Sequence, residues 1–265
     1  MFWTRVLSAL FFGFLVIVVV QSGPWVLFGV VSLVVVLSAI EFSRLAKATG
    51  GWLPRLPNIL VAVLICLSSF KPDWIDINLV LCVAIALPFL IEIIRRDPDS
   101  ALLNVSSALL GTLYAGWLFG RHLLLLSQMP NGAYLIFFLM GIAWSGDIGA
   151  YLIGRRFGKH KIIPAISPGK SLEGYIAGTA FSCATALALR YWLLPDMRLL
   201  HTIILGIGLA LVGQIGDLAE SLLKRGANVK DSGSLMPGHG GILDRCDSLI
   251  FITPALYYYV RLISL

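Results

Sequence analysis

The chain has 265 residues, of which 58% are hydrophobic and 13% charged, and its mean hydropathy is +0.89. A soluble domain of this size carries about 25% charged residues and lacks the interior to hide so much apolar surface, so a typical cytosolic enzyme and a disordered chain are both excluded. The net charge of +6 is not arranged as a basic stripe interleaved with exposed aromatics, so no nucleic-acid partner is expected; the excess orients loops and meets anionic membrane lipid. The expected fold class is all-α, a polytopic integral membrane protein.

A membrane helix needs about 20 apolar residues. Residues 6–40 carry no charge, too long a run for one span, and Gln21, Ser22, Gly23 and Pro24 divide it into spans at 3–20 and 24–41. The opening could serve as a signal peptide, but no small-residue cleavage site follows and more spans come after, so it is read as a span. A polar loop with Glu41, Arg44, Lys47 and Arg55 follows. Further spans are predicted at 56–70, 77–94, 101–126, 133–153, 175–194, 199–216 and 248–264, about nine in all. With the N-terminus in the cytosol, fifteen Lys and Arg fall on the cytosolic side and five elsewhere, which favours that orientation. Cys66, Cys82, Cys183 and Cys246 form no C-x-x-C pair and read as filler. Residues 1–140 are expected to be N-terminal membrane helices. Residues 141–265 are expected to form a catalytic membrane domain with cytosolic loops 154–174 and 217–247.

These two polar stretches hold the chemistry. Asp147 sits inside a predicted span with Tyr151 and Arg155 following. Ser167, Pro168, Gly169, Lys170 and Ser171 tempt one toward a P-loop, but Pro164 stands where the first glycine belongs and no strand precedes, so that motif is excluded; Lys170 and Ser171 remain able to bind phosphate as charge and donor. Asp217, Ser221 and Lys224 fall at i, i+4 and i+7 on one helical face, with Arg225 beside them. Asp217 either faces a wet cavity or partner, as acids on apolar helices do, or is a solvated helix end. Lys230 and Asp231 lead into Pro237, Gly238, His239, Gly240 and Gly241. These glycines either let backbone N–H groups approach an anion or form an ordinary loop. Asp244 and Asp247, flanking Arg245, are spaced i, i+3, and suit either a hard divalent cation or the start of a helix.

Taken together, Ser221, Lys224, Arg225, Lys230, Asp231 and Gly233, then Pro237, His239, Gly240, Gly241, Asp244, Arg245 and Asp247, resemble the signature of phosphatidate cytidylyltransferases (CDP-diacylglycerol synthases). Asp147, Ala150 and Tyr151, with Ser167, Pro168, Lys170, Ser171, Glu173 and Gly174, extend the resemblance over roughly 147–248. Met236 and Cys246 stand where an Ile or Leu is usual. The resemblance implies an integral membrane enzyme that makes CDP-diacylglycerol and pyrophosphate from CTP and phosphatidate, with Mg²⁺ as cofactor, a second metal or monovalent cation left open, and a homodimer. The charge bias puts the polar stretches on the cytosolic side, and the compact chain without targeting extensions points to a bacterial inner membrane. The resemblance makes Asp217, Asp244 and Asp247 the metal ligands, with Asp231 in reserve. Lys170, Ser171, Ser221, Lys224, Arg225, Arg245 and the glycines Gly238, Gly240 and Gly241 become phosphate partners, and His239 a donor or proton carrier. Asp147, Tyr151 and Arg155 would shape the cytidine or lipid side. A transporter fits less well, because the acids gather near one membrane face and no repeat is visible. A CTP-dependent lipid kinase would use similar parts. The D-G-x-x-A-R pattern of a CDP-alcohol phosphotransferase is absent.

Overall fold

The computed structural model describes residues 13–233 and 240–263, and among them the chain is helical throughout. After a helical stretch at 13–21, α1 runs Pro24–Ala48, α2 Arg55–Phe70, α3 Ile77–Arg95 and α4 Pro98–Thr112. A π-helical segment, Leu113–Arg121, joins α4 to α5 (His122–Ser127). Then follow α6 (Gly132–Phe157), α7 (Leu172–Leu193), α8 (Leu199–Gly226) and α9 (Leu243–Ile263). Proline at the first position starts α1 and α4, where its missing N–H is harmless and its fixed φ already helical. Asp76 caps α3 by accepting from the Asn78 N–H at 2.7 Å, and Ser171 caps α7 by accepting from Gly174.

Six helices among the described residues are long and apolar enough to cross a membrane: α1, α3, the continuous run Pro98–Ser127, α6, α7 and α8. Their outward faces carry Leu79, Ile85, Phe89, Leu102 and Ile176, all exposed, as on a helix that meets lipid rather than water. The predicted 56–70 segment is a helix of 16 residues, and the 3–20 segment lies partly outside the described residues. Several boundaries move. The polar loop expected after residue 41 is helix to Ala48. The loop expected to open at 217 is helix to Gly226, and the 154–174 stretch is non-helical only between α6 and α7. In each case a charged turn continues a helix beyond its apolar run. The division expected at 140/141 falls inside α6, and one apolar core runs from Val31 and Phe42 to Leu139, Leu249 and Leu256.

Side-chain bonds sort the helix ends into two groups. At one end Glu41 meets the start of α9, and Glu92 meets Asn104. At the other, Arg121 and Gln128 bond Ser69, and His201 meets Tyr259. Lys224 and Asp244, two of the predicted catalytic residues, belong to the first end, joined to Glu41 through Ser232.

Helices α6 and α7 pack through small residues. A Cβ on Gly178 would lie 2.9 Å from the Gly146 carbonyl oxygen, and one on Gly174 would lie 3.0 Å from that of Ala150. Such close approach is the usual way for membrane helices to gain contact when lipid is as apolar as leucine. Gly178→Val is therefore expected to lower stability in detergent by about 1–3 kcal/mol. Gly208→Ala, where nothing lies within 4 Å, should leave the thermal midpoint in place. Equal midpoints for both variants would refute the packing argument.

Candidate active site

Two carboxylates and one lysine form the centre of the polar end. On α8, Glu220 and Lys224 are one turn apart, with Lys224 Nζ 3.2 Å from Glu220 Oε1. The same Nζ lies 2.5 Å from Asp244 Oδ1 on the first turn of α9. Glu220 is fully buried, and the Lys224 and Asp244 side chains are 13% and 9% exposed, so their charges interact in a medium far less screening than water. Neither Glu220 oxygen accepts a well-formed hydrogen bond among the described residues; Lys224 is the cation beside it. Asp244 is better provided. Its Oδ2 accepts from the Ser232 amide (2.9 Å), the Ser232 hydroxyl (2.8 Å) and the Gly241 amide (2.8 Å). Burial alone would raise the Asp244 carboxyl, but Lys224 and these donors outweigh it and hold the group down at about 2. Gly240 has φ +80, and a Cβ there would meet Asp244 Oδ2 at 2.8 Å, so both backbone and space call for glycine.

A second ion pair ties the other polar stretch to α8. Lys170 Nζ lies 2.5 Å from Asp217 Oδ2. Arg225 Nε donates to the Ile166 carbonyl at 3.2 Å and its Nη1 to that of Val229. The segment between α6 and α7 is held in turn by Glu173, which accepts from the Lys159 and His160 amides and meets His160 Nδ1 at 2.6 Å.

A cavity between α6, α7, α8 and α9 opens beside these pairs. Asp147, Tyr175, Gln214, Asp217 and Ser248 supply its polar wall, and Ile142, Leu209 and Ile252 its apolar one. Asp147, Asp217 and Asp247 lie within electrostatic range of one another, with Lys170 and Arg245 acting on Asp147. The Tyr175 hydroxyl is buried without a partner among the described residues.

The expected site residues thus divide. Asp147, Lys170, Asp217 and Asp247 gather at the cavity, and Lys224 and Asp244 pair beside it. Ser171 is 2% exposed and engaged as a helix cap. Tyr151 and Arg155 bond each other at 2.8 Å on the exposed last turns of α6. Ser221 is half-buried on α8; Asp231 and Arg245 are exposed. Gly238 and His239 lie outside the described residues. Gly241 donates to Asp244 rather than standing open to an anion. No group of three or more His, Cys, Asp or Glu among the described residues is drawn together as a ready-made metal site, and Asp244 is turned to Lys224 and its amide donors. Sequence reading overlooked Glu41, Glu220, Gln214 and Tyr175. Glu220, on the same helix face as Asp217, Ser221 and Lys224, was the most recoverable of them.

The sequence model of the cytidylyltransferase family matches residues 3–263. A phosphatidate cytidylyltransferase of Bacillus subtilis is 32% identical over 265 residues, covering 98% of this chain and 97% of the relative. One of Staphylococcus aureus is 32% identical over 255 residues, 95% and 96% of the two chains. An uncharacterized Escherichia coli protein, YnbB, is 37% identical over 177 residues, 64% of this chain and 58% of its own.

Lys224→Met should strand Glu220 and Asp244 side by side in a poorly solvated place. We expect a loss on the order of 3 kcal/mol, read as a fall in the detergent thermal midpoint, with Glu220→Gln in the Lys224→Met background recovering part of it. An unchanged midpoint for Lys224→Met would show the triad to be solvated.

Proposed function

We propose that this chain, which belongs to the cytidylyltransferase family, transfers CMP from CTP to phosphatidate, releasing CDP-diacylglycerol and pyrophosphate. The observation that carries the reading is the cavity whose polar wall holds Asp147, Asp217 and Tyr175 beside the Lys170–Asp217 pair, while its other wall is apolar. A lipid phosphate and a nucleotide phosphate need such a boundary in order to meet.

The reaction is an in-line displacement. A phosphatidate oxygen forms a bond to the CTP α-phosphorus as the bond to pyrophosphate breaks. The attacking oxygen is already anionic, so no general base is required. The chain's task is alignment and neutralisation of phosphate charge. Lys170 and Lys224, each anchored by a carboxylate, are assigned to phosphate oxygens, and Arg245 and Arg155 to the same anionic substrates. The buried Tyr175 hydroxyl is assigned a substrate partner, because such a group is costly when unmatched.

The chemistry of the acids near the cavity supports a hard cation as partner. Asp217 and Asp247, with Asp147 in range, offer carboxylate oxygens of the kind Mg²⁺ takes, and Mg²⁺ habitually completes its shell with substrate phosphates and water rather than a protein cage. Bound there, it would supply charge neutralisation at the phosphates. Asp244 is less suited, since Lys224 and three N–H or O–H donors already occupy it.

The topology belongs to the same proposal: about nine spans, N-terminus and active site on the cytosolic side of a bacterial inner membrane, and association as a homodimer.

The test uses purified protein in detergent with phosphatidate, Mg²⁺ and α-labelled CTP. Label should enter the lipid phase as CDP-diacylglycerol, and EDTA should abolish it. Asp217→Asn and Asp247→Asn should each abolish transfer while the protein stays folded. Label moving from γ-labelled CTP instead would replace the reading with lipid phosphorylation, and near-normal turnover of Asp217→Asn would remove that residue from the site.

A further inference from the structure

The first 140 residues carry no recognisable motif, yet one of their side chains enters the catalytic end. Glu41 lies near the end of α1 and is 3% exposed. Its carboxylate accepts from the Ile242 amide at 3.0 Å, the Leu243 amide at 2.8 Å and the Ser232 hydroxyl at 3.1 Å. No cation pairs with it among the described residues. Its charge is met by backbone and hydroxyl donors and by the positive end of α9.

Two glycines of the 230–247 stretch are shaped to this carboxylate. A Cβ on Gly233 would collide with Glu41 Oε1, its three nearest atoms all belonging to the Glu41 side chain, and a Cβ on Gly241 would collide with Glu41 Oε2 and the Ser232 hydroxyl. Neither glycine has the positive φ that would explain it by backbone conformation. Ser232 is shared, since its hydroxyl also reaches Asp244 Oδ2, on which the Gly241 amide converges as well. Donors at the start of α9 that a glycine-rich loop could have turned toward a substrate anion are thus held by a residue about two hundred positions away.

We infer that Glu41 is a positioning residue. It fixes Ser232, Gly233, Gly241, Ile242 and Leu243 against α1 and, through Ser232 and Gly241, sets Asp244 and hence Lys224 in place for the transfer. Its catalytic readout rests on the function proposed above. Its structural readout does not.

The test is a double-mutant cycle in the full chain: Glu41→Ala, Gly233→Ala and the two combined. Each single variant should lower CMP transfer between roughly tenfold and a hundredfold, as small misplacements at a distance from the chemistry can. The loss should lie in kcat rather than in KM for CTP, since Glu41 touches no substrate. Gly233→Ala should cost little more once Glu41→Ala has vacated the space, so the two losses should fall well short of multiplying. Glu41→Gln should not rescue, because an amide brings donors to a place that already has three, whereas Glu41→Asp should recover part of the rate. If Glu41→Ala does not survive purification, the same cycle runs with Glu41→Asp. Independently of activity, the Ile242 and Leu243 amides should exchange faster in Glu41→Ala. Multiplying losses, or wild-type kcat for Glu41→Gln, would overturn the inference. An inactive wild-type chain would count against the proposed reaction alone, leaving amide exchange to decide the role of Glu41: unchanged exchange overturns it.

Discussion

Burying carboxylates at one end of an apolar helical bundle is the constraint on which the rest of this structure depends. An ionised carboxylate out of water is very costly unless donors or cations surround it. Glu41, Glu220 and Asp244 meet that demand in three ways. Glu41 uses two backbone amides and a hydroxyl. Asp244 combines a lysine with amide and hydroxyl donors, and Glu220, the least well provided, has Lys224 beside it. Because Lys224 and Ser232 are each shared between two acids, the three sites are coupled and α1, α8 and α9 are bound into one polar end.

The apolar part of the bundle makes this possible. Small residues let α6 and α7 approach until backbone meets backbone, which brings Asp147 on α6 and the segment before α7 within reach of Asp217 on α8. Lys170 and Arg225 then clip that segment to α8. The result is a cavity with carboxylates and lysines on one side and aliphatic side chains on the other. That boundary suits a reaction between a soluble nucleotide and a lipid headgroup.

Some of this was legible in the sequence. Asp217 and Lys224 at helical spacing do lie on one helix, and the polar stretches do converge. Ser171, read as a phosphate partner, is a buried helix cap in this structure, a role written just as plainly by its place before Leu172 and Glu173. Glu41 was placed in a loop because it ends a long uncharged run. Helix α1 in fact continues seven residues further, since a helix emerging from an apolar layer keeps its backbone bonds whatever side chains follow.

Local pattern by itself determined the class of protein, the positions of the helices and the residue types that could handle phosphate. Those properties depend on hydropathy, on periodicity and on chemistry carried by neighbours in the chain. Only the tertiary structure decided which carboxylate meets which cation. Spacing left the partners of Asp244 open, and in the fold they are Lys224, Ser232 and Gly241. Gly241 was read as a cradle for an anion, and the carboxylate beside it in the fold is Glu41. Both outcomes follow from contacts between helices far apart in sequence, where the energy of a charge depends on what surrounds it and not on its neighbours in the chain.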